Sequence, residues 1–131
     1  MALLTRDQIL QAQDIETMTV HVPEWGGSVA VRGMTGRERD RFEESLVEER
    51  KGKRKMNLSE FRAKVCALCI VNEKGEREFT DRDIAALGDK SGAALARVYN
   101  VAAALSGLSD EDVNELLGNS DDGQPGDSLS A

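Results

Sequence analysis

The run "VHVPEWGGSVAVRGMTGRERDRFEESL", Val20 to Leu46, decides how the chain is read. It continues an alternating segment, "TMTVHV", that sets Met18, Val20 and Val22 on one face until Pro23 stops it. "PEWGG" supplies a turn, and "SVAVR" alternates again with Val29 and Val31 inward. Thr35 stands three residues before Glu38, the spacing of a capping box, and a charged helical stretch follows. The order is strand, tight turn, strand, helix. A two-stranded hairpin is marginal in water, so this one must pack on helices or on another chain.

Composition sets the scale. The 131 residues are 40% hydrophobic and 31% charged, enough for one domain with a modest core. Aromatics are only 4%, so Leu, Val, Ile and Ala must fill that core. A net charge of −7 disfavours general binding to nucleic acid or to an anionic membrane, which reward positive charge. No apolar run approaches the roughly 18 residues of a membrane span. "MALLTRDQIL" has neither the basic start nor the cleavage site of a secretory signal, and the chain reads as cytosolic.

Helix starts are legible. Thr5 with Gln8, Thr35 with Glu38 and Asn57 with Glu60 fit capping boxes, and Thr80 with Asp83 and Ser109 with Asp112 are looser versions. Leu4 with Ile9, Met56 with Phe61, Phe79 with Ile84 and Leu108 with Val113 fit hydrophobic staples. The expected helices run over residues 6–13, 36–49, 58–71 and 81–87, then through "SGAALARVYNVAAALSGL", which Gly107 closes, and over 110–117. In the third, Leu58, Phe61, Val65 and Leu68 form one buried face; the Ala-rich helix is apolar nearly all round and belongs near the centre. "VNEKGEREF" reads as a second, weaker hairpin around Lys74-Gly75. The expected fold is α+β and mainly α-helical: a small N-terminal hairpin (17–32) packed on a bundle of about five or six helices (36–117), one domain over 1–117. The polar, acidic segment 118–131 is expected to be disordered.

Charge is unevenly laid out. From Arg32 to Lys64 the balance is +4, and the remainder carries −11. No base follows Arg97, whereas seven acids do. Such a molecule can attract copies of itself, so weak, salt-sensitive self-association is expected; two solvated surfaces are the plainer account.

No catalytic constellation emerges. Cys66 and Cys69 have C-x-x-C spacing, but His21 is the only other Cys/His ligand and both cysteines lie deep in an apolar helical run, so they read as core residues. "RKGKRK", Arg50 to Lys55, is either a solvated loop between helices or a phosphate-binding patch. Gly33 and Gly36 lack the Lys-Ser/Thr of a phosphate loop. Trp25, at a hairpin tip, either folds back on the sheet or waits for a partner. Arg32, Arg37, Arg39 and Arg41 crowd a helix start, where the helix dipole prefers acids. The candidate partner-binding residues are therefore Trp25, Arg32, Arg37, Arg41, Arg50, Lys51, Lys53 and Arg54. No catalytic residue, metal ligand or cofactor is expected. A binding or assembly protein comes ahead of an enzyme.

The run "VPEWGGSVAVRGMTGRERDRFE" resembles the start of tail assembly chaperones of long-tailed, siphovirus-type bacteriophages. In these a Pro-x-Trp/Leu-Gly turn precedes a strand ending in Val-x-Arg and a helix carrying Glu-Arg-Asp. "VCALCIVNEKGEREFTDRDIAALGDKSGAALARVYNVAAALSGLSDEDV" is similar to the family's second half, and the resemblance spans about Thr17 to Leu117. It implies a protein of the host cytoplasm that coats the tape measure protein, keeps it soluble, recruits tail tube subunits and is absent from the finished virion. It implies no catalytic residues. A small adaptor or regulatory domain, binding nucleic acid through residues 50–55, is the alternative.

Overall fold

The computed structural model describes residues 2–108. The expected helix over 110–117, its cap and staple, and the acidic segment after it lie outside the described residues. Helix α1 (Arg6–Gln11) leads to strands β1 (Thr17–Val22) and β2 (Gly27–Arg32), joined by a 3-10 turn at Pro23–Trp25. Helix α2 (Gly36–Ser45), strands β3 (Val47–Arg50) and β4 (Lys53–Met56), helix α3 (Phe61–Cys69) and the two-residue strand β5 (Ile70–Val71) follow. A 3-10 turn at Asp81–Asp83 opens into α4 (Ile84–Gly88), and α5 (Gly92–Leu105) completes the described chain.

The expectation of a small hairpin on a helical bundle is corrected here. The described residues hold five helices and five strands, in two antiparallel sheets. One sheet has the order β1-β2-β5 and the other is the β3-β4 hairpin. Two stretches read as helix are strand. Residues 47–49, expected to end the second helix, form β3 instead, because Lys51 and Gly52 both adopt positive φ, 52° and 77°, and turn the chain back. A turn with two such residues matches the twist of a hairpin and folds the chain back. It places Glu48 opposite Lys55 and Glu49 opposite Arg54, cross-strand pairs of opposite charge.

Ile70 and Val71, expected to end the third helix, leave it to pair with Val31 and Ala30 of β2. Both are β-branched and buried, and they convert the lone hairpin into a three-stranded sheet. The second hairpin around Gly75 is present in reduced form: Val71 bridges Arg77, and Glu78 N–H donates to Ile70 O at 3.0 Å.

Local capping signals hold where the cap is free to act. Boxes form at Thr5, Thr35 and Thr80. The box at Asn57 does not form. Asn57 N–H donates to Leu46 O, its Nδ2 donates to Glu48 at 2.6 Å, and its Oδ1 accepts from Ser59 N–H at 2.9 Å. Asn57 thus closes the base of the β3-β4 hairpin, and α3 starts later, after Glu60 in the left-handed region (φ 59°). Helix α1 is capped but unpacked. It buries no residue, and Leu4 and Ile9, the expected staple, are 71% and 55% exposed.

The core lies where α3 and α5 pack beneath the first sheet. Ala63, Val65, Cys66, Ala67 and Cys69 are buried on several sides of α3, and Ala94, Leu95, Val98, Ala102 and Ala103 form the buried face of α5. Val22 and Val31 close the core from the sheet, and Phe42 and Leu46 from α2. Phe42, Phe61 and Tyr99 stack in a tilted series with centroids 5.3 and 5.6 Å apart, joining α2, α3 and α5. Helix α5 ends in a Schellman motif, with Leu108 N–H donating to Ala103 O and Gly107 N–H to Ala104 O. There Gly33 meets it so closely that a Cβ on Gly33 would sit 2.5 Å from Leu105 O. Beside it, Met34 N–H donates to Ser106 Oγ at 2.9 Å.

Candidate functional site

Trp25 sits on the 3-10 turn between β1 and β2, half-buried against the core edge. Pro23 begins the turn and Gly26, at φ 75°, ends it. The preceding residue fixes the turn to the body: Glu24 receives two nitrogens of Arg97 on α5, at 3.0 and 3.2 Å. This hydrogen-bonded guanidinium holds the Glu24 carboxyl below the usual carboxylate range. Trp25 is therefore neither wholly folded away nor free. Its ring is anchored from behind, while its Nε1 is buried without an acceptor among the described residues.

Trp25 and Phe79 together wall two grooves. One, of about 620 Å³, runs along Ser28 and Val29 of β2, Ile70 and Val71 of β5 and the turn from Asn72 to Glu76. The other, of about 540 Å³, is lined by Glu24, Asp83, Ala86, Leu87 and Lys90. Both have apolar floors and charged rims, and neither gathers a nucleophile, a base and a donor into one place. Among the described residues no group of three or more His, Cys, Asp or Glu side chains is placed to hold a metal ion.

The other candidate residues are dispersed. Arg32 lies at the open end of the hairpin, opposite Thr17, whereas Trp25 lies at its closed end. Gly26 and five residues of β2 lie between them, a separation on the order of 20 Å. Arg32 is also engaged within the fold, donating to both carboxylate oxygens of Glu38 at 2.8 Å. Arg37 and Arg41 are exposed on α2; Arg41 lines a smaller groove with Phe42, Lys64 and Asp81. Lys51 is in the β3-β4 turn, Lys53 and Arg54 are exposed on β4, and Arg50 ends β3. The run "RKGKRK" is thus the turn and flanking strand ends of the β3-β4 hairpin, not a loop between helices. Its register sets Arg54 and Lys55 opposite acids and leaves Lys51 and Lys53 at the tip.

Both cysteines are fully buried in α3. Desolvation pushes the Cys66 thiol up to about 12 and the Cys69 thiol up to about 11, so neither is a thiolate near neutral pH. Cys66 Sγ donates to Leu95 O at 3.7 Å, a packing contact between α3 and α5.

Sequence reasoning gave Phe79 only as a helix staple with Ile84, not as a contact residue, and did not single out Ser28 or the acids of the 72–78 turn. The available signal was in "VNEKGEREF", whose three glutamates and terminal Phe stand out in a turn segment; what brings them to Trp25 is the pairing of β5 with β2.

No helix among the described residues is long and apolar enough to cross a membrane. No curated protein and no solved structure matches the chain. The family model of phage tail assembly chaperones matches residues 5–116, which takes in every described helix and strand together with the Trp25 turn. The chain belongs to the phage tail assembly chaperone family.

Proposed function

We propose that the protein binds the tape measure protein of its phage, keeps that long chain soluble while the tail tube forms, and brings tail tube subunits to it. Family membership over residues 5–116 is the observation that carries this reading. The surface suits it. Leu3, Leu4, Ile9 and Leu10 are exposed on an arm that buries nothing of its own, and the Trp25–Phe79 grooves offer further apolar area. Shallow contacts with charged rims favour binding that is reversible, as a coat that must leave requires. The work belongs to the host cytoplasm, before the virion is complete, and weak self-association through the uneven charge would let copies line a long client.

Co-expression with the tape measure protein of the same phage tests the reading. The client should be soluble and co-purify with the chain, and should sediment with the insoluble fraction without it. A client equally insoluble in both cases would sink the proposal.

A further inference from the structure

Resting on that reading, we propose that the gap in the first sheet beside Ser28, walled by Trp25, Val29 and Phe79 and rimmed by Glu73 and Glu78, binds an extended partner segment in which apolar residues alternate with basic ones.

Backbone geometry exposes the gap. Gly33 N–H donates to Glu16 O, so Gly33 faces β1, and by alternation Val31, Val29 and Gly27 do too. Ser28, Ala30 and Arg32 consequently point their N–H and C=O toward β5. Ala30 is met there by Val71. The same register would set Glu73 opposite Ser28, but β5 has already ended at Val71. The chain bends away because Asn72 Oδ1 accepts from Lys74 N–H at 2.8 Å and from Glu76 N–H at 3.0 Å, while Gly75 N–H donates to Asn72 O. Ser28 is left with its backbone donor and acceptor facing the groove.

An extended segment supplies what the gap lacks. Its backbone can pair with Ser28 and continue the line of β5, as in strand addition to a sheet. A helix cannot, since its own backbone groups are already paired. The occupant is therefore a non-helical part of a client. Alternate side chains would rest on Trp25, Val29 and Phe79, and a carbonyl of the segment could receive the Trp25 N–H once the indole turns. The rim selects charge: Glu73, Glu76 and Glu78 are exposed against a single Lys74, which favours a basic segment and repels the acids that follow Arg97 in this chain.

The probe is a synthetic peptide of about seven residues, a common strand length, alternating Lys and Val, with its Glu-for-Lys counterpart as control. Added to the isotope-labelled full chain, the Lys peptide should shift the amides of Ser28 and Val71 and the indole N–H of Trp25. Glu73→Lys with Glu78→Lys, both exposed positions, should leave the circular dichroism spectrum unchanged, weaken the Lys peptide about tenfold and admit the Glu peptide. Shifts confined to other surfaces, or equal binding of both peptides to wild type, would overturn the inference. Client solubility separates the two readings. A double variant that solubilises the tape measure protein as well as wild type sinks the groove and spares the chaperone function. A wild-type chain that binds the peptide yet leaves the client insoluble sinks the function alone.

Discussion

Arg32 and Glu38 form a two-pronged ion pair, both bonds at 2.8 Å, that ties the end of β2 to the first turn of α2. Glu38 also closes the capping box, accepting from Thr35 N–H at 3.0 Å. One carboxylate therefore fixes the helix start and its angle to the sheet. The Arg32 hydrogen bonds hold the Glu38 carboxyl at about 2, against an ordinary 4.5.

That depression fixes a sign. A carboxyl lowered by folding stabilises the native state above its unfolded value and ceases to as pH falls through its folded value. Allowing for partial exposure, the charge contributes on the order of 2 kcal/mol near neutral pH. Glu38→Gln retains a cap acceptor and removes the charge. Urea titration should show the variant less stable by about that amount at neutral pH, with the gap closing between about pH 5 and pH 2. A gap independent of pH would remove the pair from the account.

Gly33→Ala should destabilise the protein by about 2–3 kcal/mol, because the added Cβ meets a backbone carbonyl, Leu105 O, that cannot rotate away. Gly27→Ala, where a Cβ meets nothing within 4 Å, is the control and should change the melting temperature little. Similar losses in the two variants would mean that the approach of β2 to α5 is loose.

The native thiols should resist reagents that need thiolate. Cys66 and Cys69 are buried with pKa values near 12 and 11, so disulfide-exchange reagents at mildly alkaline pH should react only as fast as the core opens. Replacing both with Ala should cost roughly 1–3 kcal/mol in packing. Rapid stoichiometric modification of folded protein, or one zinc per purified chain, would contradict their role as core residues.

Lys51 is a side chain in a left-handed position beside Gly52. Asn tolerates that conformation better, and Asn-Gly is the preferred pair for such a turn. Lys51→Asn should stabilise the β3-β4 hairpin by about 0.5–1 kcal/mol, visible as slower amide exchange in residues 47–56. Faster exchange there would argue against the turn.

By itself the sequence determined whatever is settled within a few residues. Thr5 and Thr35 cap N–H groups three positions on and Thr80 caps one two positions on, the alternation on either side of "PEWGG" pairs across one turn, and Gly107 ends its helix locally. Tertiary structure decided the rest. Leu46 and Val47 suit a helix by spacing, and Glu48 and Glu49 by propensity, yet they join or precede β3 because acids there face Arg54 and Lys55 across the hairpin. Asn57 could cap a helix, but Leu46 O and Glu48 claim it first. Ile70 and Val71 become strand only because β2, some forty positions earlier, offers an open edge over the core. The same pairing brings Phe79 and the turn glutamates beside Trp25. Propensity differences of a few tenths of a kcal/mol per residue are outweighed when a distant partner buries apolar side chains or completes a backbone hydrogen bond, and one sequence window does not contain that partner.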